Sequence, residues 1–177
     1  MAIRRLVTGM REGRSAVLSD GPVPTQHEYK AVPGMTSAVI WATAPSPEVD
    51  VEEAAPAGTS LHPEPGHTVL CVVDFPPDSV MAAPGFDFPA AGAEQFQHLP
   101  GLAERFEMDN PGMHTTQTVD YAVVLGGEIW LELEDGEPAQ LGAGDIVVQQ
   151  RTRHAWRNRG TESARMAFVL IGTDRVH

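Results

Sequence analysis

Cysteine is all but missing from this chain. With Cys71 alone, no intramolecular disulfide can form, and the chain suits a reducing compartment. Flanked by Leu70 and Val72 in a strand-like run, Cys71 reads as a small buried hydrophobe and not as a nucleophile. Cations are scarce too: 12 Lys and Arg against 24 Asp and Glu leave a formal charge of -12. Nucleic acid and anionic membrane surfaces would repel such a chain. No apolar run approaches the ~20 residues that a membrane-spanning helix requires. Arg4 and Arg5 near the start are not followed by the apolar stretch of a secretory signal. The expected setting is therefore the cytoplasm, with neither nucleic acid nor membrane as partner. Also absent are G-x-S-x-G, the phosphate-binding loop, the dinucleotide fingerprint and C-x-x-C, which disfavours serine hydrolases, nucleoside triphosphatases and Rossmann dehydrogenases.

What is present is strand. The 177 residues suit one domain with room for an extension. Residues 1–80 are rich in Pro and Gly but carry strand-like pieces: Ile3 to Val7 and Ser15 to Ser19 as a hairpin, then Thr36 to Thr43 and Thr68 to Phe75. Between the last two, Ala44 to Pro65 is a Pro-, Glu- and Ala-rich stretch expected to be exposed and mobile. Residues 81–113 are a connection: Ala83 to Gly92 reads as turns, and Ala93 to Glu107 as short helical turns broken at Pro100-Gly101. Residues 114–173 are the core of the domain. Glu128 to Glu134 alternates polar and apolar as a half-buried antiparallel strand does. Asp135-Gly136 signals a hairpin, Ile146 to Val148 resumes the sheet, and Arg165 to Ile171 is the last long strand.

Two segments carry the chemistry. The first, residues 111–127, reads PGMHTTQTVDYAVVLGG, and the second, residues 142–158, reads GAGDIVVQQRTRHAWRN. Side chains two apart on a strand share a face, so His114, Thr116 and Asp120 point the same way if no bulge intervenes. His154 on the later strand could complete a set of two imidazoles and one carboxylate, which leaves positions open for exogenous ligands. An acid such as Asp120 beside a buried apolar run needs a partner: a metal, or an arginine such as Arg153 or Arg157. Thr116 is a poor ligand by comparison and suits orienting a bound water. Trp130 and Trp156 are candidates for the pocket floor, and Tyr121 and Gln149 for substrate contacts. His62 and His67 read as loop residues, and His27, His98 and His177 receive no role.

These segments resemble the cupin superfamily, whose motifs run G-x5-H-x-H-x3,4-E-x6-G and G-x5-P-x-G-x2-H-x3-N. His114 matches the first histidine, Asp120 stands at the glutamate and Gly127 closes the first motif. Gly144-Asp145, His154 and Asn158 match the second. Thr116 replaces the second histidine, Asp replaces Glu, and Gln149 and Arg151 stand where Pro and Gly are usual. The resemblance implies an all-β, RmlC-like jelly-roll: an antiparallel barrel with an N-terminal strand extension. It also implies a divalent metal (Zn, Fe, Mn or Ni) held by His114, Asp120, His154 and Thr116, the last through a bound water, with Asp120 also catalytic. The function expected is non-redox chemistry on a small oxygenated acid, by a lyase, decarboxylase, isomerase or dehydratase. The alternatives are a non-catalytic sensor of small molecules and a non-haem iron dioxygenase. Exposed sheet edges and apolar N-terminal strands add the expectation of a homodimer.

Overall fold

Alternation of side chains, tight turns and a shortage of long helical runs build this chain from antiparallel strands, described over residues 2–174 of a computed structural model. His177 lies outside the described residues. The chain opens on a hairpin of β1 (Arg4–Arg11) and β2 (Arg14–Pro22). Its turn places Glu12 and Gly13 at φ 52 and 74, the left-handed pair that matches strand twist.

Six strands then make the larger sheet, in the order β3-β4-β5-β11-β6-β9. They are β3 (His27–Glu28), β4 (Thr36–Thr43), β5 (Thr68–Phe75), β6 (Thr118–Gly126), β9 (Ile146–Gln150) and β11 (Ala164–Gly172). The smaller sheet is β10-β7-β8, from β7 (Glu128–Leu133), β8 (Ala139–Gly142) and β10 (His154–Arg157). All the pairings are antiparallel.

The alternation fixes what lies inside. On β6, Thr118, Asp120, Ala122 and Val124 are buried, while Tyr121 and Leu125 are exposed. Register carries this inner face across the sheet: Ala122 stands opposite Phe168, and Phe168 opposite Cys71. From the smaller sheet, Ile129 contributes to the same core. The link from β6 to β7 needs Gly127. Its φ is +76, and a Cβ there would lie 2.8 Å from the Ser163 carbonyl oxygen and 2.9 Å from the Ala164 Cα.

Two expectations hold only in part. The stretch between β4 and β5 is exposed over most of its length, yet it is tied down at points: Ala55 and Leu61 are buried in the core. Glu53 accepts from the Ala54 and Ala55 amides and pairs with Arg5. A few apolar anchors fix the path of a segment that forms no strand. The connection before the first motif is also more ordered than its turn-rich composition suggests. A helix, α1, runs over Phe88–His98, with the Asp87 side chain capping the Ala90 amide and Pro89 in its first turn. These are standard start signals, and the helix stops before Pro100-Gly101, where Gly101 takes φ +82.

Candidate metal and ligand site

His114 and His154 are brought together by backbone. Each donates its amide to the other's carbonyl at 3.0 Å, a lone bridge outside the named strands. Their rings consequently lie 4.3 Å apart, tilted by 52°. Both are buried, at 7% and 3% exposure.

The local sequence also sets which ring nitrogen is free. Nδ1 of His114 is 3.0 Å from the Gly112 carbonyl oxygen, and Nδ1 of His154 is 3.0 Å from that of Thr152. A carbonyl only accepts, so each Nδ1 carries the proton and each Nε2 keeps its lone pair. Gly112 and Thr152 each stand two residues before the histidine, in a turn: Gly112 has φ +83, and Arg151, just before Thr152, has φ +55. The walls are aromatic. Phe106 meets His114 edge-on at 5.4 Å, and Trp156 meets His154 at 5.9 Å and Phe168 at 5.7 Å.

Electrostatics keep both rings neutral. His154 is pulled down to about 4, by burial first and then by the neighbouring His114. His114 is lowered by burial, against the opposing pull of the Gly112 carbonyl and Glu107. Neutral imidazole with an exposed lone pair is the ligating form.

Asp120 is buried on β6 at 6% exposure, and its Oδ1 has no hydrogen-bond partner. Burial pushes its carboxyl up to about 6, while the Thr118 hydroxyl beside it favours the charged form. Neither arginine offered as its partner takes that place. Arg153 forks onto Glu107 at 2.6 Å, and Arg157 binds Glu132, the Pro111 carbonyl and Asn110.

The donor set fits a divalent ion in part. The two Nε2 atoms and the orphaned carboxylate oxygen suit one chemically. Yet among the described residues no three His, Cys, Asp or Glu side chains are gathered to hold an ion. His114 and His154 form the seat, and Asp120 stands apart from it. The physical reason is placement: Asp120 sits within the six-stranded sheet opposite Leu170 and Gln149, whereas His114 bridges to the strand of the smaller sheet. Aspartate is also one methylene shorter than the glutamate usual in the motif.

The other candidates divide. Trp156 lies in the core beside His154. Thr116 is buried, and its hydroxyl accepts from Thr118 at 2.8 Å. Gln149 is buried opposite Asp120, with its amide given to the Thr152 hydroxyl and carbonyl. Tyr121 must be corrected: it is 45% exposed and turned to the outer face of its sheet. Trp130 must be corrected as well. Ile129 and Leu131 take the buried positions of β7, which leaves Trp130 on the opposite face, paired with Gln140 and Arg157. A one-residue error of parity moves a side chain through the sheet.

Phe106 and the Arg157–Glu132 pair were missed from sequence, since nothing in the chain links residues so far apart. Asn158 matched the second motif, and its role is structural: it is 2% exposed, and its side chain joins the Phe75 and Glu162 carbonyls and the Gly160 amide.

Residues 107–171 match the family model described as Cupin domain, so the chain carries a cupin domain and the all-β cupin fold expected from its motifs. Phomopsin biosynthesis cluster protein D of Diaporthe leptostromiformis is 52% identical over 60 residues, 33% of this chain and 32% of that protein. The match thus spans about a third of the length of the first curated relatives. Cupin-domain-containing oxidoreductase fogC of Aspergillus ruber (strain CBS 135680) is 28% identical over 183 residues, 99% of this chain and 74% of that protein. Among solved structures, a Cupin 2 conserved barrel domain protein from Salinispora arenicola CNS-205 aligns with a TM-score of 0.41 at 14% identity, over 77% of this chain and 75% of that one. Among the described residues no helix is long and apolar enough to cross a membrane.

Proposed function

From a chain that carries a cupin domain over residues 107–171, we propose a metal-dependent enzyme acting on a small molecule. His114 and His154 hold the ion through Nε2, and Asp120 is a buried proton-holding group in the same interior. The observation that carries this reading is the imidazole pair, neutral and buried, with each Nδ1 committed to a carbonyl. That commitment orients both rings and fixes their tautomer before anything binds.

A divalent ion bound there supplies positive charge for a substrate oxygen and, if it is iron, access to redox chemistry. The chain's own residues supply the rest. Trp156, Phe106 and Phe168 exclude water from around the rings. The Asp120 carboxyl, held near 6, gives or takes a proton close to neutral pH. For the reaction class we adopt oxidation–reduction in place of the lyase or isomerase expected from sequence. Its support is the likeness, along nearly the whole chain, to a relative named an oxidoreductase.

The test is metal content after anaerobic loading with Fe(II), measured by elemental mass spectrometry on the native chain, His114→Ala and His154→Ala. Circular dichroism controls for folding. We expect about one ion per native chain and none in either folded variant. Metal retained by both variants would end the proposal. A binding module without turnover is the second reading, favoured by Thr116 being engaged with Thr118 and Asp120 standing outside the ligand pair. Loaded protein that returns its ligand unchanged would support it.

A further inference from the structure

Outside the histidine pair, the inner face of β4 and β5 carries a cavity of about 250 Å³. Its floor is Val39, Leu61, Cys71 and Val73, all below 9% exposure. The 56–59 loop, with exposed Ala57, forms the mouth together with Gln97 and His98 at the end of α1. A concave site with a dry floor and a few polar groups is the usual shape of a small-molecule pocket. A pocket of ~150 Å³ already accepts benzene, so this one has room for a substituted ring.

Charge is what singles the cavity out. The chain is 20% charged, yet no Asp, Glu, Lys or Arg lines this cavity. The one imidazole in the wall, His98, is stacked on His27 at 3.4 Å and favours the neutral state through burial and that neighbour. The polar groups that remain are neutral. Ser37, 5% exposed, shares a hydrogen bond with the Tyr29 hydroxyl at 3.0 Å, and Thr25 donates to the Val39 carbonyl. An ion entering would lose water and find no counter-charge, which is costly in such surroundings. No residue of the histidine seat lines the cavity; burial, and after it the Asp120 charge, raises the Cys71 thiol in its floor.

We propose that this cavity binds the body of the substrate, and that the substrate is a neutral, largely apolar molecule with a hydroxyl or carbonyl group, in place of the small oxygenated acid expected from sequence. The proposal rests on the enzyme reading only in calling this ligand the substrate.

The experiment uses three probes of matched size on Fe(II)-loaded protein under anaerobic conditions: benzyl alcohol, benzoate and benzylamine. Binding is followed by chemical-shift changes of the Val39, Leu61 and Val73 methyl groups. Benzyl alcohol is expected to bind at low millimolar concentration, about tenfold or more tighter than either ion. Ala57→Trp, at the exposed mouth, is expected to abolish that binding with metal content unchanged. Benzoate or benzylamine shifting the same methyls as strongly as benzyl alcohol would overturn the neutral assignment. Unaltered binding in Ala57→Trp, or none by any probe, would overturn the cavity as the site. Metal content measured on the same samples keeps these failures separate from failure of the histidine seat.

Discussion

Removing the charge of Asp120 should stabilise the metal-free protein, and by an amount that depends on pH. The carboxyl is 6% exposed, and burial raises it from 3.8 to about 6. A group raised on folding contributes most below its unfolded value, and that contribution is lost as pH rises through the folded value. At about 1.4 kcal/mol per pKa unit, ionising Asp120 costs the fold about 3 kcal/mol at pH 8 and about 0.5 kcal/mol at pH 4. Asp120→Asn keeps the shape and never ionises. Its advantage over the native chain should therefore be about 2–3 kcal/mol larger at pH 8 than at pH 4. In a chain of this size that corresponds to about 5–10 °C in Tm. The assay is urea denaturation of both proteins in the presence of a chelator, followed by circular dichroism at the two pH values. The low value of His154 is common to both proteins and cancels in the difference. An advantage equal at pH 4 and pH 8 would refute the reasoning, because it would mean that Asp120 carries no unpaired charge in the folded state.

Two further outcomes follow from buried groups outside the histidine pair. Asn158→Ala leaves the Phe75 and Glu162 carbonyls and the Gly160 amide without their side-chain partner, at a cost of about 3 kcal/mol; thermal denaturation should show Tm lowered by about 10 °C, and an unchanged Tm would count against the hub role. The Cys71 thiol is 5% exposed and pushed up to about 12 by burial and the Asp120 charge, so Ellman's reagent, bulkier than a single substituted ring, should react far more slowly with the native protein than with the one thiol per chain found in denaturant; equal rates in the two states would show the core to be open.

Period-2 alternation and turn chemistry are local properties, and they were legible in the chain. Thr36–Thr43 and Thr68–Phe75 are strands with the ends read from sequence, because runs of β-branched residues between Pro and Gly leave little choice. The histidine spacing was legible for the same reason: turns at Gly112 and Arg151 present His114 and His154 alike, and both positions are local. Orientation within a strand was less secure. Trp130 has apolar neighbours on both sides and Tyr121 stands between Asp120 and an apolar run, and only the opposing sheet decides which parity is buried.

By itself the sequence determined the long strands, most of their turns and the two imidazoles with their motifs, because each depends on residues within a few positions of one another. Only the tertiary structure decided that Asp120 lies in a different sheet from the histidine bridge, without an arginine, and that a charge-free cavity opens between β4, β5 and the end of α1. Those features arise where segments many residues apart meet. Burial and the pairing of charge are properties of that meeting, and no single strand encodes them.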